Sequence, residues 1–300
     1  MRLREDIETL SVLVDEVVRR TGIPRRHVEK DFWLTEALRR MCAVADAERF
    51  TLLFKGGTSL SKAYRIIERF SEDVDVLVVL PTGSKGEQDR LLRRLIDEAA
   101  QGCGLAAVAE PSGITRAVKR SARLMFPTNS AAAGTSDGLL IELGSRGGAM
   151  PHERLTIRSL IAEHVGTNLD DVEEAEPFDV SVLSPARTLV EKLVLLHTAH
   201  SGSDSGRVAK TARHYYDVHQ LIGRPEVVAE VAKLGVDALA RDVTTYSTAA
   251  DLPTAARPIG GFANSPAFAT DSLEQFLWPG AHRPSFEDCL NQVHAASATF

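Results

Sequence analysis

The sequence predicts an α+β fold with a small mixed-sheet core, a helical N-terminal lead-in and a helical C-terminal part. Apolar residues recur at helical spacing before residue 45 and again after residue 184. Between these regions, short apolar runs are bounded by glycine, proline and polar residues, which is typical of strands. We therefore predict two domains, N-terminal helices plus the sheet core over residues 1–183 and a helical domain over residues 184–300.

The elements of the first domain follow from these two patterns. Helical spacing predicts helices over residues 5–20, 24–45, 58–67 and 87–101. Short apolar runs predict strands over residues 51–54, 73–80, 139–143, 155–161 and 178–183, while residues 115–126 fit either a strand or a helix. The third helix begins where Thr58 or Ser59 can cap it. The strand that contains Asp73 and Asp75 is continuously apolar after Asp75, so we expect it to lie centrally in the sheet.

The second domain is predicted to be helical, because strand-like runs stop after residue 183. Its predicted helices cover residues 186–200, 207–222, 226–240 and 285–297. Residues 250–270 are rich in proline, alanine, glycine and serine, and we expect a loop there.

Composition excludes few function classes. The chain is 44% hydrophobic and 25% charged, which is ordinary for a globular protein, and its net charge of -6 argues against a generally basic surface for nucleic acid. Local basic patches are still compatible with that role. No apolar run approaches the length of a membrane span and the N-terminus lacks a signal-peptide core, so we expect a cytoplasmic protein without a membrane anchor.

Two aspartates one residue apart give the first chemical signal. On a strand, Asp73 and Asp75 project to the same face, where two carboxylates repel each other unless a cation lies between them. Oxygen ligands of this kind suit Mg²⁺, which keeps several waters and binds substrate phosphates. The alternative interpretation is a solvated pair at the end of a strand. The spacing alone does not decide between the two.

A glycine turn precedes the aspartates and favours the first interpretation. Gly56 and Gly57 lead into a predicted helix whose first N–H groups can bind an anion. Thr58 and Ser59 add hydroxyl donors. A phosphate-binding turn followed by a metal-binding strand is an arrangement for handling a nucleoside triphosphate.

Three segments resemble a known family. FKGGTSLSKAYRIIERFSEDVDVLV, residues 54–78, resembles the signature of the DNA polymerase β-like nucleotidyltransferase superfamily, and in detail that of its AbiEii/AbiGii toxin branch. SPARTLVEKLVLLH, residues 184–197, resembles the branch motif with a helical lysine, here Lys192. RHYYDVHQL, residues 213–221, resembles its closing motif with an aspartate, here Asp217. The resemblance covers about residues 25–225 and is strongest to mycobacterial-type toxins that act on tRNA.

The resemblance implies a function and a set of roles. A toxin of this branch would transfer nucleotides from an NTP to the 3′ end of tRNA with Mg²⁺, which blocks aminoacylation and translation. Asp73 and Asp75 would hold the metal and Lys192 would neutralise a phosphate. Asp217 could position Lys192, contact the nucleotide or activate the acceptor. The residues that would bind the nucleotide are Gly56, Gly57, Thr58, Ser59, Lys62, Arg207 and Arg213.

Two further residues near the acids are candidates. Glu142 stands inside the apolar run LLIEL, where a charge needs a reason, and superfamily members often use a third carboxylate as metal ligand. The alternative is that Glu142 pairs with a neighbouring arginine such as Arg146.

Ser71 lies two residues before Asp73, so its phosphorylation would add negative charge beside the acids and repel the triphosphate. The resemblance implies restraint of this kind by a cognate antitoxin. We expect the toxin itself to be a monomer.

Two basic runs have both a structural and a functional interpretation. Arg207, Lys210 and Arg213 are spaced three apart on one helical face before Asp217, which favours phosphate contact. Residues 116–120 with Arg123 fit either a solvated face or a nucleic-acid contact.

Other acceptors, a protein side chain or a small molecule such as an antibiotic, remain alternatives to tRNA. A catalytically inactive binding module is the third alternative.

Overall fold

The computed structural model describes residues 1–71, 73–127, 138–166, 171–201, 208–235, 238–239, 277–285, 287–289 and 291–292. It has the mixed α and β architecture that the sequence predicts. The chain divides into two compact units, the first formed by residues 1–58, 71–146 and 153–182 and the second by residues 59–70, 147–152 and 183–300. The domain limits proposed from the sequence stay a prediction.

The first unit contains both helices and strands, and the elements assigned after residue 184 are all helices. The helices are α1 (Ile7–Thr21), α2 (Arg25–Glu48), α3 (Gly56–Lys62), α4 (Lys85–Cys103), α5 (Leu160–Val165), α6 (Pro185–Ser201), α7 (Val208–Ile222) and α8 (Pro225–Leu234). The strands are β1 (Thr51–Lys55), β2 (Asp73–Val79), β3 (Ala106–Ala109), β4 (Lys119–Met125), β5 (Leu139–Gly144), β6 (His152–Ile157) and β7 (Phe178–Leu183). None of the helices among the described residues is both long and apolar enough to cross a membrane.

The seven strands of the described residues form one mixed sheet in the order β3-β4-β5-β2-β1-β7-β6. Strand β2 is central, as predicted, and pairs antiparallel with β1 and parallel with β5. Val74, Val76 and Ile141 are buried on one face of β2 and β5. Because side chains alternate along a strand, Asp73 and Asp75 lie on the opposite face, which is half-exposed.

Local capping explains where several helices begin and end. The Asp6 side chain accepts a hydrogen bond from the Thr9 N–H at the start of α1, and Gly22 ends that helix in the left-handed region with φ 72°. Ser84 and Glu87 form a reciprocal capping box at the start of α4. These side chains satisfy N–H groups that a helix leaves without an internal partner.

Two predicted elements have wrong limits, and one strand was not predicted. The helix expected over residues 58–67 begins at Gly56 and ends at Lys62. The chain then takes a left-handed conformation at Arg65, with φ 55°, and places Ile66 and Ile67 in the apolar core of the second unit. Tertiary burial of these two residues outweighs continuation of the helix. The strand expected over residues 155–161 ends at Ile157, and strand β3 was not predicted because its four residues are mostly alanine.

The second unit has its own core. Helices α6, α7 and α8 pack around apolar side chains, and residues 59–70 contribute Leu60, Ile66 and Ile67 to the same cluster. The loop predicted over residues 250–270 and most of the helix predicted over residues 285–297 lie outside the described residues.

In the first unit, a buried acid anchors the N-terminal segment. The Glu174 carboxylate accepts hydrogen bonds from the Leu3 N–H at 3.0 Å, from the Arg4 N–H at 3.1 Å and from Arg4 Nη1 at 2.7 Å. The Glu174 side chain is only 2% exposed. One carboxylate therefore satisfies two backbone donors and a buried guanidinium.

We expect Glu174→Ala to lower the free energy of unfolding by about 3 kcal/mol, because it leaves these buried donors without their acceptor. Urea denaturation measures this loss. The matched control is Glu153→Ala on the exposed part of β6, which should change stability by less than about 0.5 kcal/mol. Equal losses in both variants would show that the Glu174 contacts do not stabilise the fold.

Candidate active site

A row of charged side chains crosses the centre of the sheet. Asp75 is in register with Lys55 on β1 and with Glu142 on β5. Residues in register on neighbouring strands point to the same face, so these three side chains and Asp73 share the half-exposed face of the sheet. The sequence predicted that both aspartates share a face, and the register adds Lys55 and Glu142 to that face.

Hydrogen bonds fix Asp73 from two directions. The Ser71 hydroxyl donates to Asp73 Oδ1 at 3.0 Å, and the Thr58 hydroxyl donates to the Asp73 backbone carbonyl at 2.5 Å. Thr58 comes from the glycine turn and Ser71 from the segment before β2. The structure therefore brings together three residues that the sequence proposed separately, and gives Thr58 the role of tying the turn to the acidic strand.

The glycine turn touches the second aspartate. Gly56 has φ +76°, a left-handed conformation that side-chain-bearing residues rarely adopt. A Cβ at this position would lie 2.3 Å from Asp75 Oδ2, which is closer than atoms can approach. Glycine is therefore required both by the backbone angle and by the close approach of the Asp75 carboxylate. Gly57 follows in the first turn of α3 and is buried.

The carboxylate of Glu142 is engaged by a neighbouring strand. Lys119 Nζ lies 2.6 Å from Glu142 Oε1, and the Ser121 hydroxyl donates to the same oxygen at 3.3 Å. The alternative proposed from the sequence, an ion pair, is therefore present, but its partner is Lys119 on β4 and not Arg146. The Glu142 side chain is 27% exposed, so solvent reaches this pair.

The residue types on this face fit Mg²⁺, the ion that the resemblance implies. Asp73 and Asp75 supply carboxylate oxygens, which Mg²⁺ prefers together with waters and substrate phosphates. Among the described residues, no group of three or more His, Cys, Asp or Glu side chains is placed to hold a metal by itself. The arrangement therefore suits a site with two protein carboxylates and open positions, and does not form a closed protein cage.

The second unit contains a buried cluster of opposite charges. Asp217 on α7 lies between Lys192 on α6 and Arg69 from the segment 59–70. Lys192 Nζ is 2.6 Å from Asp217 Oδ2, while Arg69 donates from Nε to Oδ1 and from Nη2 to Oδ2, both at 2.6 Å. All three side chains are buried: Lys192 is 4% exposed, Asp217 is 0% exposed and Arg69 is 3% exposed. The two residues predicted from separate motifs, Lys192 and Asp217, are thus in direct contact.

The charges around Asp217 limit what it can do. Burial alone would raise the pKa of Asp217, but the charges and hydrogen bonds of Arg69 and Lys192 outweigh it and hold the pKa well below its ordinary value. A general base works best when its pKa is near the operating pH, so this carboxylate is poorly suited to activate an acceptor. Both Asp217 oxygens are already engaged by Arg69 and Lys192, which argues against contact with a nucleotide. Of the three roles considered, positioning Lys192 agrees best with this geometry.

The neighbouring histidine is uncharged at neutral pH. Burial and then the positive charge of Lys192 lower the pKa of His214 to about 3. His214 therefore adds no positive charge to the cluster.

Arg69 was missed by the sequence analysis. It stands in a short polar stretch before Asp73, and nothing in its spacing links it to an aspartate 148 residues later. Its apolar neighbours Ile67 and Phe70, both buried, are the one sequence signal for a buried arginine that needs a partner.

The remaining predicted residues lie in several places. Ser59 is fully buried in α3, Lys62 ends that helix, and Arg213 is half-buried on α7. Arg207 lies outside the described residues, and the Lys210 side chain is not described.

The basic run around β4 is paired with acids. Arg120 donates from Nη2 to both Asp89 oxygens at 3.1 and 3.0 Å, and Arg123 Nε lies 3.0 Å from Glu110. These pairs favour the structural interpretation of the run.

Comparison with known proteins decides the family. The family model described as "Nucleotidyl transferase AbiEii toxin, Type IV TA system" matches residues 36–295. The chain belongs to the AbiEii nucleotidyltransferase toxin family. This confirms the resemblance read from the motifs and extends it well beyond residue 225, into a region where the sequence analysis found no motif. The AbiEii family comprises toxins of type IV toxin–antitoxin systems, which implies a nucleotide substrate and an antitoxin partner.

A solved structure agrees with the fold. MenT4, a nucleotidyltransferase toxin from Mycobacterium tuberculosis H37Rv, superimposes with a TM-score of 0.52 at 19% sequence identity, over 95% of this chain and 88% of that chain. At this identity the similarity shows the fold alone. A search of curated proteins found no significant match to this AbiEii-family chain.

Proposed function

We propose that this AbiEii-family toxin transfers a nucleotide from an NTP to the 3′ end of tRNA and so blocks aminoacylation and translation. The observation that carries the transferase chemistry is the contact between the glycine turn and the acidic strand. The Gly56 backbone packs against the carboxylate of Asp75, and Thr58 is hydrogen-bonded to the Asp73 carbonyl. The proposed phosphate-binding turn and the proposed metal-binding strand are thus in direct contact, which supports transfer from a triphosphate.

The chemistry assigned to the site is an in-line displacement. The acceptor hydroxyl oxygen forms a bond to the α-phosphorus, the bond to the β-phosphate oxygen breaks, and pyrophosphate and a proton are released. Bound to Asp73 and Asp75, Mg²⁺ would supply positive charge to the phosphate oxygens. Gly56 and Gly57 would offer backbone N–H groups to the triphosphate. Glu142 stays a candidate third ligand, which would have to exchange its contact with Lys119 for the metal.

The motif residues of the second unit receive roles that their local geometry supports. We assign Lys192 the neutralisation of phosphate charge during transfer, following the family motif. We assign Asp217 the positioning of Lys192, because it is buried and in direct contact with it. Lys62, Arg207 and Arg213 are proposed phosphate contacts.

The choice of tRNA rests on the resemblance to mycobacterial-type toxins that act on tRNA. The decisive experiment incubates purified protein with total tRNA, Mg²⁺ and each α-labelled NTP, beside an Asp73→Ala control and a sample with chelator. We expect label on tRNA from one NTP, and none in the control or with chelator. If folded wild-type protein labels only protein or small molecules in a cell extract, the proposed acceptor is wrong while the transferase chemistry stands.

Ser71 is the proposed regulatory position. Its hydroxyl lies 3.0 Å from Asp73 Oδ1, so a phosphoryl group there would place up to about two negative charges against a proposed metal ligand. We expect Ser71→Glu to lower transfer by about a hundredfold and Ser71→Ala by less than about threefold, because alanine removes only one hydrogen bond. Transfer assays and thermal unfolding of both variants measure this effect. Equal activity of the two variants, or unmodified Ser71 in toxin inactivated by co-expressed antitoxin, would contradict the regulatory role.

A further inference from the structure

We propose that Arg69 is a positioning residue that holds Lys192 in place through Asp217. The proposal deepens the proposed function, because it assigns to Arg69 the orientation of the lysine that neutralises phosphate. No sequence motif assigned a role to Arg69, and the proposal rests on the contacts that the second unit makes around Asp217.

The first step is the geometry of the shared carboxylate. Arg69 donates a bidentate pair of hydrogen bonds to the two oxygens of Asp217, which fixes the plane of the carboxylate. Lys192 binds the same Oδ2 that accepts from Arg69 Nη2. An ammonium has three donors, so directing one of them at a fixed oxygen restricts where the other two can point. Rotation of the Asp217 carboxylate would move Lys192 with it.

The second step is the support of Arg69 itself. Its third nitrogen, Nη1, donates to the Phe70 carbonyl at 3.0 Å, so each of the three guanidinium nitrogens donates within the protein. Because each nitrogen is engaged and two of them donate to Asp217, the guanidinium is suited to position that carboxylate. Arg69 therefore acts through another residue and is not itself catalytic.

The third step is the backbone around Arg69. Residue Arg69 forms an antiparallel bridge with Leu277, and the Trp278 N–H donates to the Glu68 carbonyl at 2.9 Å. The rings of Phe70 and Trp278 stack with centroids 5.9 Å apart. Leu277 and Trp278, which lie beyond the three motif segments, thus contact the segment that contains Arg69.

The same segment is also held from α7. The Glu68 N–H donates to the Tyr216 hydroxyl at 3.2 Å, one residue before Asp217 in the sequence. Arg69 is therefore fixed by its backbone on two sides and by its side chain on a third. A positioning residue needs to be held by several contacts, because a displacement of about 1 Å in a catalytic group can lower the rate by about a hundredfold.

The test compares Arg69→Met and Arg69→Lys with wild type. We expect Arg69→Met to lower kcat per folded molecule by about a hundredfold without raising KM for tRNA. The kcat of Arg69→Lys should be about tenfold higher than that of Arg69→Met, since lysine restores the charge but not the two parallel hydrogen bonds. Arg40→Lys is the matched control, because Arg40 on α2 is an ion-paired arginine of the first unit, with Nη2 2.7 Å from Glu173 Oε1. It should leave kcat per folded molecule unchanged. Thermal unfolding gives the folded fraction of each variant.

A structural measurement, which does not depend on enzymatic activity, separates this proposal from the proposed function. In a crystal structure of Arg69→Met, we expect the Asp217 carboxylate to rotate and Lys192 Nζ to leave its 2.6 Å contact. An unchanged Lys192–Asp217 contact in that crystal would overturn the positioning role, whatever the acceptor proves to be. A displaced lysine in a protein that labels no tRNA would support the positioning role and reject the tRNA acceptor.

Discussion

Replacing Asp75 by asparagine will reduce nucleotide transfer by about a thousandfold while the protein stays folded. Asparagine has nearly the same shape, so it fits against Gly56 where Asp75 Oδ2 now lies. It lacks the negative charge that a divalent cation requires, so under the proposed mechanism the variant would bind neither Mg²⁺ nor the triphosphate held through it. We expect the same result for Asp73→Asn, which keeps the acceptor oxygen for the Ser71 hydroxyl.

The control for these variants is Asp179→Asn on β7. Asp179 is a strand carboxylate of the same sheet, and its side chain is 51% exposed. We expect less than about twofold loss of transfer and less than about 0.5 kcal/mol change in stability there. Label transfer with α-labelled NTP and urea denaturation are measured for all three variants. Full transfer by folded Asp75→Asn protein would remove the acidic strand from the proposed mechanism.

Glu142→Gln decides whether the row of carboxylates includes a third metal ligand. If Glu142 only pairs with Lys119, then Glu142→Gln and Lys119→Met remove the same interaction and should have equal, small effects on transfer. If Glu142 binds metal, Glu142→Gln should approach the loss seen for Asp75→Asn, while Lys119→Met should not. The Mg²⁺ concentration for half-maximal transfer, measured in both variants, separates these outcomes.

The acidic strand and the glycine turn could be predicted from the sequence because their signals are local. Alternation places Asp73 and Asp75 on one face, and a left-handed glycine between a strand and a helix is marked by residue type alone. The register that brings Glu142 beside Asp75 could not be predicted, since pairing of β2 with β5 joins segments separated by a helix and two strands. The ion pair of Glu142 with Lys119 depends on that register.

The contacts around Asp217, in contrast, could not be predicted from the sequence. The motifs marked Lys192 and Asp217 but left three roles open for Asp217, with positioning of Lys192 as one of them. Their contact, and the bidentate hydrogen bonds from Arg69, arise from packing of α6, α7 and residues 59–70 around one apolar core. The early end of α3 has the same origin, because the chain leaves the helix to bury Ile66 and Ile67 in that core. Long-range packing of this kind leaves no periodic signal in the sequence.

Lys192→Met and Asp217→Asn should separate catalysis from stability, although both should lower transfer by about a hundredfold or more. Lys192→Met keeps the paired charges of Arg69 and Asp217 and puts an apolar side chain of similar length into a buried position. We therefore expect its free energy of unfolding to stay within about 1 kcal/mol of wild type. Asp217→Asn leaves two buried cations without their carboxylate, which should cost about 3–5 kcal/mol. Urea denaturation at neutral pH compares the two variants.

The pH dependence of stability gives an independent check on the same pair. The pKa of Asp217 is held below its ordinary value of about 4 in the folded protein, so its stabilising contribution is present above that pH and is lost as the pH falls below it. In Asp217→Asn this loss cannot occur, and the free energy of unfolding should decline less steeply with acid than in wild type. Lys192→Met should retain most of the slope, because Arg69 still favours the ionised carboxylate. Parallel acid profiles for wild type and Asp217→Asn would mean that the carboxylate is not ion-paired in solution, and the positioning of Lys192 through Asp217 would fail with it.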